Sequence, residues 1–152
     1  MFRGIHVLNL DAKGRLAIPT KYREVLQHER DGQVVITIAI DNRCLWLYAL
    51  SRWEVLERQL LSLPAIDQQT RRLQRMLIGH ASECQMDGQG RVLLPSPLRK
   101  YANLDRAVAL VGLGGKFEIW DAQSWDIRRN VWVEETSLAD SQGSSALSTL
   151  SI

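Results

Sequence analysis

The segment Leu10-Asp11-Ala12-Lys13-Gly14-Arg15-Leu16-Ala17-Ile18-Pro19 recurs about 76 residues later as Met86-Asp87-Gly88-Gln89-Gly90-Arg91-Val92-Leu93-Leu94-Pro95. The register persists beyond the proline. Arg23 pairs with Arg99, Leu45-Trp46-Leu47-Tyr48 resembles Phe117-Glu118-Ile119-Trp120, and Ser51-Arg52-Trp53-Glu54 echoes Gln123-Ser124-Trp125-Asp126. A duplication of this kind constrains the fold more than any other feature, because each copy must be one small supersecondary unit. With 152 residues in all, one copy is too short to bury both sides of its own strands. The two are therefore expected to interlock into one barrel-like core, with the two turns related by an approximate two-fold axis.

Each copy reads as strand, tight turn, strand, short helix, strand, turn, strand, helix. Ile5 to Leu10 alternates, with His6, Leu8 and Leu10 on one face and Ile5, Val7 and Asn9 on the other. Asp11 to Gly14 then turns, Gly14 and Gly90 supplying positive φ where a side chain is costly. Pro19 and Pro95 end the return strands; Ser96 is expected to cap the next helix, with Pro97 at its first position. Val34 to Ile40 is a nearly continuous β-branched run and reads as a well-buried strand, turning at Asp41-Asn42 into Cys44 to Tyr48. In the second copy Val108 to Val111 and Phe117 to Trp120 repeat this hairpin around a turn at Gly112 to Gly115.

Between the copies, Ser51 to Leu63 and Asp67 to Leu77 read as a helical hairpin broken at Pro64, with Leu56, Leu60 and Leu63 on one stripe and Leu73, Met76 and Leu77 on another. The division expected is 1–52 and 80–124 for the two copies, 53–79 for the connecting hairpin, 125–136 for a last helix, and 137–152 for a Ser-rich, disordered tail.

A net charge of +2 does not announce a nucleic-acid partner, but its distribution is uneven. From Met1 to Gln27 the bases Arg3, Lys13, Arg15, Lys21 and Arg23 outnumber Asp11 and Glu24, whereas acids dominate from Asp121 onward. The first end suits a polyanion. No signal peptide and no membrane span is read, and a cytoplasmic location is expected. Cys44 and Cys84 are separated and strand-like, which favours core thiols over a disulfide. His6, His28 and His80 have no metal-site spacing, and no nucleophile elbow or phosphate loop follows a strand. No metal, cofactor or enzymatic activity is expected.

The doubled Asp-x-x-Gly-Arg-apolar-Pro motif, with Phe2-Arg3-Gly4, Leu8-Asn9-Leu10-Asp11-Ala12-Lys13-Gly14-Arg15 and Ile78-Gly79-His80-Ala81, resembles the MraZ family within the AbrB-like DNA-binding superfamily. The resemblance extends from Met1 to about Glu135. It implies an α+β, mainly β fold: a tandem-repeat, swapped-hairpin (double-split) β-barrel with helices between and after the repeats. It also implies a transcriptional regulator, a repressor, of the bacterial division and cell-wall gene cluster. Such a protein binds repeated elements in double-stranded promoter DNA, its own promoter included, as a nucleoid-associated homo-oligomeric ring.

On that basis Arg15 and Arg91 are the leading DNA-contact candidates, Arg3 and Lys13 the next, and Asp11, Gly14, Asp87 and Gly90 the residues that shape the turns. Each has a plainer role beside it. Arg15 and Arg91 can serve as turn-stabilising partners of Asp11 and Asp87, and Arg3 and Lys13 as solvated surface charge; both roles coexist when an aspartate orients an arginine whose other donors face outward. Gln89 stands where the first motif has Lys13, which sets the two copies apart as DNA contacts. Lys21 and Arg23 read as surface or intersubunit residues, the Arg71, Arg72 and Arg75 cluster as a solvated face, and the five tryptophans as packing. Two other readings stay open: an antitoxin-like regulator that also binds a partner protein, and an assembly protein whose ring is its function.

Overall fold

The structure, a computed structural model, describes residues 1–139 and 149–151. Its first compact unit, Met1–Ala122, holds both copies of the repeat. Copy one supplies β1 (Phe2–Asn9), β2 (Arg15–Ala17), α1 (Thr20–His28), β3 (Gln33–Ile38) and β4 (Leu45–Ala49). The connecting hairpin is α2 (Leu50–Ser62) and α3 (Gln68–Leu77), and copy two is β5 (Ser82–Gln85), β6 (Arg91–Leu93), α4 (Ser96–Tyr101), β7 (Ala107–Gly114) and β8 (Phe117–Asp121). The fold is α+β, mostly antiparallel sheet with five helices among the described residues.

Six strands form one sheet in the order β1-β7-β8-β4-β3-β5, and β2 and β6 form a separate two-stranded ribbon. The copies exchange strands. β1 lies along β7 from Phe2 opposite Gly114 to Asn9 opposite Ala107, and β5 lies along β3 with Gln33 opposite Gln85. β4 meets β8, and β2 meets β6, so every strand pair except the two hairpins joins one copy to the other. Among the described residues the ladders stay in two sheets and do not close into a barrel. What is shared is the core. Leu16, Ile18, Ile36, Leu45 and Leu47 from copy one and Val92, Leu94, Leu110, Phe117 and Ile119 from copy two pack in one fully buried cluster. Neither copy retains that cluster alone, which is why a unit of this size is duplicated.

β3 explains its own lack of alternation. Val34, Ile36 and Ile38 face the shared core, while Val35 packs into a second cluster with Leu50, Trp53, Leu60 and Leu77 of the connecting hairpin. A strand covered on both faces has no polar face to display. Thr37, on the hairpin side, donates its buried hydroxyl to the carbonyl of Leu77 at 2.7 Å, tying α3 to the sheet. Asp67 caps α3, its side chain accepting from the Gln69 N–H.

Two local expectations change. Ser96 opens α4 instead of capping it: Pro95, with its φ near −58°, ends the strand and holds the cap position without a side-chain bond, leaving Pro97 in the first turn, where a missing N–H is harmless. Gly112 belongs to β7, not to the following turn, which is made by Gly115 and Lys116. Gly112 pairs with Gly4, and a Cβ there would strike the backbone of Arg3, so the glycine allows β1 to lie close.

The second unit, Gln123–Ile152, is dominated by α5 (Ala122–Ala139). Along it Trp125 and Trp132 meet edge to face at 6.1 Å, and the Arg128 guanidinium lies over the Trp132 ring at 5.1 Å. The last helix exceeds the expected 125–136 at both ends, so residues 137–139 are helical and not part of a disordered tail; the rest of the expectation of disorder, over 140–152, falls mostly outside the described residues. Among the described residues, no helix is long and apolar enough to cross a membrane.

Candidate nucleic-acid interface

Each turn is built around its aspartate. Asp11 Oδ1 accepts from the backbone N–H groups of Lys13 at 3.0 Å and Arg15 at 2.9 Å, while Oδ2 accepts from Arg15 Nε at 2.6 Å. The second turn repeats the pattern: Asp87 Oδ1 accepts from Gln89 and Arg91 N–H, both at 2.9 Å, and Oδ2 from Arg91 Nε at 2.9 Å. The Arg15 and Arg91 backbone N–H groups, with the guanidinia adding to them, hold both carboxyls below the usual aspartate range. A carboxylate that accepts several N–H bonds is better kept charged, and a charged carboxylate orients its arginine.

Gly14 and Gly90 carry φ of +83° and +76°, the left-handed region each turn requires. They have a second task. Gly14 C=O accepts from Leu94 N–H at 3.0 Å, and Gly90 C=O accepts from Ile18 N–H at 2.8 Å, so each turn is stitched to the other copy's strand exit.

Sequence reasoning missed the arginines behind these turns. Arg99 donates from Nε to Leu94 C=O at 2.9 Å, and its guanidinium occupies the space of a Gly14 side chain, its Cζ 2.6 Å from where a Cβ would sit. Arg23 donates to Ile18 C=O at 2.7 Å and fills the matching space at Gly90. The pairing of Arg23 with Arg99 in the repeat signalled a common role. That each serves the other copy's turn follows only from the interlocking.

The ribbon sets the faces. Arg15 lies opposite Leu93, Leu16 opposite Val92, and Ala17 opposite Arg91. Leu16 and Val92 are fully buried, so strand alternation turns Arg15, Ala17, Arg91 and Leu93 to the opposite, outer face. Each arginine uses Nε on its own aspartate, and among the described residues their Nη groups make no other hydrogen bond. Two guanidinia thus stand diagonally on one two-stranded ribbon, with the exposed Leu93 and Ala17 between them. Such a ribbon fits the major groove in width, and a guanidinium anchored through Nε retains the paired donors that grip phosphate or guanine.

Lys13 is exposed on the first turn, next to Arg15, with Gln89 exposed at the matching place. Arg3 is not brought to this site. It lies at the far end of β1, opposite Leu113, about 20 Å along the strand from Asn9 at roughly 3.3 Å per residue. There its backbone is held by the Tyr22 hydroxyl, which donates to Arg3 C=O at 2.7 Å and accepts from Arg3 N–H at 3.1 Å. Among the described residues no group of three or more His, Cys, Asp or Glu is arranged to hold a metal. Cys44 is buried and Cys84 half-buried, and burial raises both thiols, strongly at Cys44.

The family described as "MraZ protein, putative antitoxin-like" matches residues 1–76 and again 77–141, one match to each copy of the repeat. Relatives called "Transcriptional regulator MraZ" agree over most of their length. The protein of Methylococcus capsulatus is 54% identical over 138 residues, covering 91% of this chain and 90% of its own. That of Alkalilimnicola ehrlichii is 57% identical over 135 residues, 89% and 90% of the two chains, and that of Halorhodospira halophila is 49% identical over 152 residues, all of both.

Proposed function

The chain belongs to the MraZ family, and from that premise we propose that it is a sequence-specific, DNA-binding transcriptional regulator and not an enzyme. It reads double-stranded promoter DNA with the outer face of the β2–β6 ribbon. The observation that carries the reading is the pair of guanidinia, Arg15 and Arg91, each oriented by its own aspartate on one exposed ribbon. Arg15 makes the principal base or phosphate contact and Lys13 a phosphate contact beside it. Arg91 makes the weaker contact, because its turn carries Gln89 in place of a lysine. Arg3, at the other end of β1, adds only to the general field. Asp11, Gly14, Asp87 and Gly90 shape the turns.

The finer reading follows the family. The exchange of strands between the copies supports the family's swapped-hairpin, double-split arrangement, although the ladders stay in two sheets, with copies 1–52 and 80–124, connector 53–79 and, as last helix, α5 in place of the expected 125–136. Protomers assemble head to tail into a closed ring, which sets several ribbons against successive promoter repeats, so that individually weak sites gain from high effective concentration. The protein acts in the cytoplasm on the nucleoid, as a repressor of the division and cell-wall cluster and of its own promoter.

The test is binding of the purified protein to labelled DNA from its own upstream region, against a scrambled sequence, near physiological salt. Arg15→Ala is expected to lower affinity for the native sequence by about fivefold to 150-fold and to reduce the preference over the scramble by a similar factor, since one bidentate base contact is worth about 1–3 kcal/mol of discrimination. A folded Arg15→Ala protein with full affinity and preference overturns the reading.

A further inference from the structure

The two turns share their hydrogen bonds but not their charge. Leu10 N–H donates to Arg106 C=O at 2.8 Å, and Met86 N–H, its counterpart in the repeat, donates to Gly32 C=O at 2.9 Å. Arg106 and Gly32 therefore hold equivalent places, each in the segment that follows a short helix and passes beside the other copy's turn. With Lys13 matched by Gln89 and Arg106 by Gly32, the first turn carries beside it, in addition to Arg15 and Arg99, two bases that the second turn lacks at the matching places beside Arg91 and Arg23; Arg30, in the segment before Gly32, is paired with Glu54 at 3.0 Å.

Arg99 and Arg106 border a cavity of about 490 Å³ beside the first turn, together with Asp11, Gly14 and Asp105. The Asp11 carboxylate is already engaged by Arg15, which leaves Asp105 as the one acid at this rim against two guanidinia. Arg99 is held through Nε on Leu94 C=O with its guanidinium packed over Gly14, so little side-chain freedom is left to lose when it takes up an anion. Arg106 is exposed, and among the described residues neither it nor Arg99 forms a salt bridge. Two guanidinia at the mouth of a polar cavity, continuous with the aspartate that orients Arg15, suit an anion with several acceptor oxygens.

We infer that this cavity seats a backbone phosphodiester of bound DNA, held by Arg99 and Arg106, so that each protomer grips DNA asymmetrically, firmly at the first turn and lightly at the second. The inference rests on the DNA-binding reading above and adds a contact that positions the duplex without reading bases.

The experiment measures DNA affinity against salt for the wild-type protein, Arg106→Ala and Arg106→Lys, on native and scrambled DNA, with thermal unfolding as the control for folding. Removing one phosphate interaction lowers the slope of log affinity on log salt by about 0.9, which amounts to about fivefold in affinity near 0.15 M salt. Arg106→Ala should show both reductions equally on the two DNAs, with its sequence preference intact, and Arg106→Lys should recover most of the slope. If Arg106→Ala matches wild type in affinity and slope while Arg15→Ala loses its preference, the seat is refuted and the regulator reading stands. If the wild-type protein shows no DNA binding, both fall. Competition by millimolar inorganic phosphate at constant ionic strength, relieved in Arg106→Ala, would assign the cavity to a free anion and overturn the DNA contact.

Discussion

Replacing Gly14 by alanine tests the interlocking of the copies directly. At φ +83° a Cβ costs about 1–2 kcal/mol. That Cβ would also fall 2.6 Å from Arg99 Cζ and 2.8 Å from its Nε. The guanidinium is the end of a flexible side chain and can swing aside, but in doing so it gives up the 2.9 Å bond to Leu94 C=O, a net loss of about 1 kcal/mol. The sum, about 2–3 kcal/mol, corresponds to a fall in Tm of roughly 5–10 °C for a chain of this length. Urea or thermal unfolding of Gly14→Ala reads the cost. Gly88→Ala, whose Cβ meets nothing within 4 Å, serves as the control and should stay within about 0.5 kcal/mol of wild type. The two contributions separate in a double-mutant cycle. In an Arg99→Ala background Gly14→Ala should cost only its backbone strain, giving a coupling of about 1 kcal/mol between residues of different copies. A Gly14→Ala protein as stable as wild type, or a cycle without coupling, refutes the packing of Arg99 on the first turn.

Thr37→Val should cost about 1–3 kcal/mol in thermal unfolding, because it leaves the Leu77 carbonyl without the buried hydroxyl that ties α3 to the sheet; a neutral result would mean that another donor serves it. Acid should loosen both turns. The folded-state pKa values of Asp11 and Asp87 lie below the ordinary 3.8, so their contribution is complete above that value and is lost as pH falls through the lower, folded-state one. The urea midpoint should therefore be insensitive to these groups above about pH 5 and fall below about pH 4, less steeply in the Asp11→Asn, Asp87→Asn double variant; an unchanged acid limb in that variant would be contrary. Cys44, buried and with its thiol pushed well up, should resist a maleimide in the native protein and react in denaturant, whereas rapid native labelling would contradict the packing around it.

Much of the site was legible because it is local. The Asp-x-x-Gly-Arg turn states its own chemistry: a short acid to gather N–H groups, a glycine where φ is positive, and an arginine placed to close back on the acid. The ring of bonds at Asp11 and Asp87 is the one those residue types predict. The places of Arg3 and Arg106 were not legible. Arg3 precedes the turn by a full strand, and a strand is rigid, so nearness in sequence became about 20 Å in space. Arg106 carries no motif and reaches the first turn only because the segment after α4 crosses behind it.

By itself the sequence determined the duplication, the turns, the order of elements and the two-sided burial of β3, since these depend on backbone preference and on periodicity along a contiguous stretch. Only the tertiary structure decided that β1 pairs with β7 and β5 with β3, that Arg99 and Arg23 each support the other copy's turn, and that Arg15 and Arg91 share one ribbon face. Each copy carries the same apolar pattern, which is satisfied as well by a strand of its own copy as by one of the other. The choice between them rests on which arrangement buries the single core that neither copy can close alone.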